Sequence, residues 1–156
     1  MPDNLEILGV LKRHGVPFFV IGAHAVNFHG YGRATEDMDI VWVRSSQAEQ
    51  SLLAALKEID GCYIGNEIDP ATGIERTHAV SLPFIQANHL MMLLTRFGFL
   101  DLFDYAPGLP NEDVRQLLAS SVEFEGFRYA SLQLLRKMKQ ASGRPKDRTD
   151  LENLPE

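Results

Sequence analysis

The residues with the clearest chemical potential are Asp37 and Asp39, separated by Met38 at the entrance to an apolar run, Ile40-Val41-Trp42-Val43. On a β-strand alternate side chains share a face, so the two carboxylates project the same way, about 6.6 Å apart along the chain. Met38 and Ile40 face oppositely. Paired carboxylates at the edge of a core repel each other and resist burial unless a cation lies between them. Mg²⁺ answers both problems, because it prefers oxygen ligands and takes one or two carboxylates together with substrate phosphates. Read alone, an Asp-x-Asp pair is also compatible with a solvated strand entry.

Upstream, Gly22 ends the apolar run Phe18-Phe19-Val20-Ile21 and opens a helical segment, Ala23 to Phe28. Backbone N–H groups at such a junction are free to meet an anion, and the small Ala23 lets a phosphate approach. His24 and His29 have no nearby cysteine or third ligand, so the pair is a poor zinc site. His29 reads as a turn residue.

Other elements must hold these residues in place. Leu5, Leu8, Val10 and Leu11 have helical spacing and stop near His14-Gly15. Phe18–Ile21 reads as a central strand and 38–43 as a second. Ser46 is expected to cap a helix reaching Ile59, with Glu49 completing a capping box. Within 61–82 the pattern is weak, apart from turns at Asp69-Pro70 and Thr72-Gly73 and a strand over 75–82. Residues 90–95 and 99–103 form a hairpin about Arg96-Phe97-Gly98. The five-residue block 90–94 suits a core strand, and Met91-Met92 read as core. A helix over 111–119 and a short hairpin over 122–129 follow. Ser131 caps a further helix, which Gly143 and Pro145 end, and a last helix is expected over 146–154. Strands and helices interleave, so the class is α/β (or α+β), a mixed sheet flanked by helices with a short C-terminal helical extension.

Length and composition fit one domain over 1–156, its core spanning about 3–105 and a C-terminal hairpin and helices about 111–154. Hydrophobic residues make up 45% and charged residues 23%, which excludes a disordered chain. No apolar run approaches the ~20 residues of a membrane span, the N-terminus is acidic where a signal peptide is basic, and Cys62 stands alone. A cytoplasmic location is the resulting expectation. The net charge of −6 argues against broad nucleic-acid binding, but it is unevenly spread. Seven basic residues and a single acid lie between Arg128 and Arg148, against eight basic and twenty acidic residues elsewhere. That segment is either a phosphate-facing surface or a solvated helix face.

Gly22-Ala23, His29-Gly30, Arg33, Thr35 and Asp37-Met38-Asp39, in that order and spacing, resemble the signature of the DNA polymerase beta-like nucleotidyltransferases. The likeness is greatest to the bacterial branch that includes abortive-infection and toxin–antitoxin proteins. Thr95 to Phe103 resembles the later strand that brings a third carboxylate, Asp101, to the metals. Asp101 is preferred over Asp104 because Leu100 and Leu102 bracket it as core residues. Lys139, followed by Gly143-Arg144-Pro145-Lys146-Asp147 and Asp150-Leu151, is similar to the family's C-terminal signature. One departure is Ala23, which stands where the family has a second glycine or a serine. It keeps the backbone amide but loses a hydroxyl.

The resemblance implies two Mg²⁺ ions (Mn²⁺ as a substitute) held by Asp37, Asp39 and Asp101 against an NTP such as ATP. Asp101 would also help deprotonate an acceptor hydroxyl. Arg33 and Thr35 would contact phosphate or base, although Thr35 also suits a role in orienting the turn. Lys139 is a triphosphate contact or a surface lysine, and Arg144 a phosphate ligand or a helix cap. The implied activity is transfer of a nucleoside monophosphate to a hydroxyl acceptor with release of pyrophosphate. RNA, in particular the 3′ end of tRNA, is the favoured acceptor. The alternatives are a small-molecule or protein acceptor, or a non-catalytic, antitoxin-like module working beside a helical partner. Monomer and homodimer are equally compatible with the sequence.

Overall fold

The computed structural model describes residues 5–22, 25, 37–145 and 152. Within them lie eight strands and five helices. In chain order these are α1 (Leu5–Arg13), β1 (Phe18–Ile21), β2 (Asp37–Trp42), α2 (Ser46–Glu58), β3 (Cys62–Ile68), β4 (Glu75–Ala79) and α3 (Leu82–Ala87). Then follow β5 (Leu90–Thr95), β6 (Gly98–Phe103), α4 (Val114–Ala119), β7 (Val122–Phe124), β8 (Phe127–Tyr129) and α5 (Leu132–Ser142). The strands form one mixed sheet in the order β4-β3-β5-β6-β2-β1-β8-β7. Pairing is antiparallel except at β2–β6 and β1–β8.

Alternation along the central strands separates the two faces. Met38 and Ile40 of β2, Leu100 and Leu102 of β6, and Met91 and Leu93 of β5 share one face and are fully or almost fully buried. The apolar sides of α1, α2 and α3 supply the rest of that layer through Ile7, Leu8, Leu11, Leu52, Leu56 and Ile85. At its far end, Arg44 ties the layer together. Its guanidinium donates to Asp104 (2.8 Å), Glu49 (2.7 Å) and the carbonyls of Ile85 (2.8 Å) and Asn88 (2.7 Å), and lies over the Trp42 ring.

Several sequence expectations hold. Gly15 closes α1 with φ +79°, and the 122–129 hairpin turns through Glu125 and Gly126, both at positive φ as a two-residue hairpin turn demands. The Ser131 hydroxyl accepts from the Leu134 amide, and Gly143 ends α5 in the left-handed conformation. Others need correction. The cap of α2 is Ser45, whose hydroxyl accepts from the Ala48 amide. Glu49 therefore sits one position too late for a capping box and bonds Arg44 instead. β4 ends at Ala79, because Ser81 caps α3 and turns Leu82 into a helical residue. Asp113 caps α4, so that helix begins at Val114. Met91 is core but Met92 is 67% exposed, and Leu90 and Leu94 are also exposed. β5 is thus buried on one side only. The expected helices over 23–28 and 146–154 lie almost wholly outside the described residues.

Candidate active site

The parallel register of β2 and β6 sets Asp39 directly beside Asp101 and Asp37 beside Phe99. Register partners share a face, so all three aspartates rise from the side of the sheet opposite the α1–α3 layer. The antiparallel partner of Asp39 on β1 is Ile21, which brings Gly22 to the same corner. Gly22 has φ +69°, and a Cβ there would come within 2.3 Å of the Asp39 Oδ2. Only glycine meets both conditions, because the Asp39 carboxylate occupies the space a side chain would need and the backbone is left-handed there.

α5 covers this side of the sheet over β1 and the inner part of β2, where Phe19, Val41, Leu134 and Leu135 are buried. The C-terminal half of α5 overhangs the acids. A cavity of about 620 Å³ is lined by Gly22, Asp37, Asp39, Asp101, Lys139 and Arg144, together with Ile21, Phe103, Met138, Ser142 and the turn at Pro107 and Gly108. Lys139 is only 7% exposed, so it is not the surface lysine that remained open from sequence.

Asp101 is the acid whose surroundings change it. Burial holds the Asp101 carboxyl above its ordinary range, and the negative charge of Asp37 adds to the rise. A side-chain hydrogen bond with Asp39 acts in the opposite direction. Asp39 and Asp101 side by side, with the charge of Asp37 near them, form an oxygen donor set of the kind a hard divalent cation takes. Among the described residues, no group of three or more His, Cys, Asp or Glu side chains is placed to hold a metal ion by itself. Mg²⁺ takes one or two carboxylates together with substrate phosphates and water, and the adjacent Asp39 and Asp101 fit that smaller demand.

Of the residues singled out from sequence, Gly22, Asp37, Asp39, Asp101, Lys139 and Arg144 converge on one cavity. Ala23, Arg33 and Thr35, with His24 and His29, lie outside the described residues. Asp104 turns away to Arg44 and His89. Phe103, Met138 and the Pro107-Gly108 turn were missed, since nothing in their local pattern marks them as cavity walls.

No protein-family model matches the sequence, and no curated protein matches it. Solved structures do. The lincosamide antibiotic adenylyltransferase LnuA, in its lincomycin-bound crystal structure, superposes with a TM-score of 0.55 and 16% identity over 97% of this chain and 93% of its own. Helicobacter pylori JHP933 aligns with a TM-score of 0.43 and 15% identity, over 95% of this chain and 62% of its own. A second H. pylori protein, described as a nucleotidyltransferase, gives 0.38 and 16%, over 88% and 55%. This chain therefore spans little more than half the length of those two. The first likeness shows the fold, a mixed α/β sheet flanked by helices. No helix among the described residues is long and apolar enough to cross a membrane.

Proposed function

We propose that the protein transfers a nucleoside monophosphate from an NTP to a hydroxyl acceptor and releases pyrophosphate. The observation that carries this reading is the convergence of three carboxyls with Gly22, Lys139 and Arg144 around one cavity. Its volume is of the size that holds small ligands and cofactors.

Asp37, Asp39 and Asp101 would hold two Mg²⁺ ions, with Mn²⁺ as a substitute. Such ions, when bound, neutralise the triphosphate and stabilise the entering and leaving oxygens of an in-line displacement. The chain's own groups do the rest. The amide at Gly22 and the cations of Lys139 and Arg144 bind and orient the β- and γ-phosphates, with Ala23, Arg33 and Thr35 extending that contact. The acceptor oxygen bonds to the α-phosphorus as the bond to the bridging oxygen breaks, and pyrophosphate departs with that electron pair. The hydroxyl proton passes to Asp101, whose raised proton affinity suits a group that must accept one.

RNA remains the acceptor expected from the sequence, supported by the basic segment 128–148. That support is thinner in three dimensions. Arg128 donates to Ser121, Lys137 lies 3.9 Å from Glu112, and Lys139 is buried at the cavity. A small hydroxylated acceptor is the second reading, favoured by the open apolar surface beside the acids. Incubation with each α-labelled NTP, Mg²⁺ and RNA, protein or small-molecule pools tests the reading. Label is expected in one pool and must vanish with Asp39→Asn. Absence of label from every pool with all four NTPs sinks the transferase and leaves the non-catalytic module.

A further inference from the structure

The side of the sheet that carries the acids is divided in two. Over β1 and the inner part of β2 it lies under α5. Over β5 and β6 it is apolar yet open: Leu90 is 38% exposed, Met92 67%, Leu94 36% and Phe99 50%. The register makes the two halves continuous. One row across the sheet reads Met92–Asp101–Asp39–Ile21, and the next reads Cys62–Leu94–Phe99–Asp37. Met92 is thus the cross-strand neighbour of Asp101, and Phe99 that of Asp37, at the ~4.5–5.5 Å typical of such pairs. Contiguous exposed apolar surface of this kind marks a binding site more often than an accident of folding.

Direction identifies the occupant. In-line displacement requires the acceptor oxygen and the leaving pyrophosphate on opposite sides of the α-phosphorus. Gly22, Lys139 and Arg144 all lie toward β1 and α5, so the pyrophosphate leaves on that flank. The acceptor must enter from the other, across Met92, Leu94 and Phe99. None of these side chains, nor Leu90 or Cys62, carries a charge. The nearest cation along β5, Arg96, donates to the Glu58 carbonyl and lies over Phe97, on the α2 side of the sheet.

Resting on the transferase reading above, we propose that β5 and β6 form the acceptor platform, and that the acceptor is a small hydroxyl compound with an apolar body. Its apolar part lies along Leu94, Met92 and Phe99, and its hydroxyl reaches Asp101. There the oxygen bonds to the α-phosphorus, the proton goes to the carboxylate and pyrophosphate leaves with the electron pair of the broken bond. An RNA strand needs cations along its phosphates, and among the described residues the exposed apolar side chains of this platform offer none.

The test uses α-labelled ATP, Mg²⁺ and three acceptors: D-glucose, n-octyl β-D-glucoside below its micelle concentration, and a single-stranded RNA dodecamer. The first two present similar hydroxyls and differ in apolar area. Label on the octyl glucoside should exceed that on glucose by about tenfold or more in kcat/KM, since burying a few methylenes supplies that factor. Met92→Gln and Leu94→Asn should each raise KM for the octyl glucoside several-fold and leave KM for ATP unchanged. Equal labelling of the two sugars, or label on RNA alone, overturns the platform and leaves the transferase standing. No label on any of the three also overturns the platform, while the transferase stands or falls with the pooled assay across all four NTPs.

A second readout needs no turnover. With ¹³C-methyl methionine, octyl glucoside should shift the Met92 signal and spare Met91, which is buried on the opposite face. Equal shifts at both residues overturn the proposal. So does a Met92 signal that moves with protein concentration alone, because the face would then belong to a second copy of the chain.

Discussion

Gly22 and Asp101 show two opposite relations between stability and chemistry at single residues. At Gly22 a methyl group would collide with the Asp39 carboxylate and strain a backbone at positive φ. Gly22→Ala should therefore lower kcat by roughly a hundredfold, as a misplacement of about 1 Å does, and should also lower Tm. Single-turnover transfer and thermal melting measure the two effects separately. Asp101 behaves in the opposite sense. Its proton affinity is raised in the folded chain, so the unfolded chain loses that proton more readily, and ionisation at neutral pH costs stability. The sign follows: the penalty is absent below the carboxyl's unfolded pKa and grows as pH rises through the folded one. Asp101→Asn should melt higher than wild type at pH 7, with the difference vanishing near pH 3, while transfer is lost. A variant that melts lower at pH 7 would show that the cluster is not under strain.

At the scale of elements, two polar ties hold the layer of helices. Arg44 joins the end of β2, the first turn of α2, the end of α3 and the exit of β6 through four short hydrogen bonds. Arg44→Ala leaves Asp104 and Glu49, whose side chains are 9% and 13% exposed, without their cation. Breaking such a pair costs about 3–5 kcal/mol, which lowers Tm by roughly 10 °C in a chain of this size. Because the tie sits at the far end of β2 from the aspartates, KM for ATP in the surviving folded fraction should not change. The second tie joins α1 to α2. Arg13 and His14 both engage Glu58 and hold its carboxyl down at about 2. The stabilisation is present above the unfolded pKa, about 4.3, and is lost as pH falls toward 2. Glu58→Gln should flatten the acid limb of a Tm-against-pH curve in that window.

Elements also explain what could be read in advance. β1, β2 and the 90–103 hairpin were legible because their periodicity is strong and their turns are marked. β3 was not, and β4 was legible except for its end: four of its five residues are exposed, so little alternation survives at this sheet edge to mark where it stops. α3 was hidden because six residues containing Pro83 cannot establish a helical period. Met92 was misjudged because two adjacent methionines look alike, whereas the pleat sends them to opposite faces. The carboxylate pair was visible as local period-two spacing. Its meeting with Asp101 rests on a parallel pairing between strands far apart in sequence, which no local pattern encodes. The burial of Lys139 was equally hidden, since lysine on an amphipathic helix is ordinarily solvated.

The whole molecule is a sheet with one face committed to the core and the other shared between α5, a polar pocket and an open apolar field. If the pocket binds nucleotide and cation together, Mg²⁺ with a non-hydrolysable ATP analogue should raise Tm in proportion to log ligand concentration. The shift corresponds to about 2.7 kcal/mol at a hundredfold excess over Kd. Neither component alone, nor both with Asp39→Asn, should reproduce it.

The open field has an evolutionary consequence. Leu90, Met92, Leu94 and Phe99 are half-solvated, so replacing them disturbs the folded chain by little, typically within about 0.5 kcal/mol for surface positions. If that field is the acceptor platform proposed above, preference for one molecule over another can be rewritten a residue at a time while the corner at Gly22 and the aspartates stays unaltered. A library randomised at those four positions should keep most of its members folded and spread them across many acceptors, whereas the same effort spent on Gly22 or the aspartates would return mostly inert proteins.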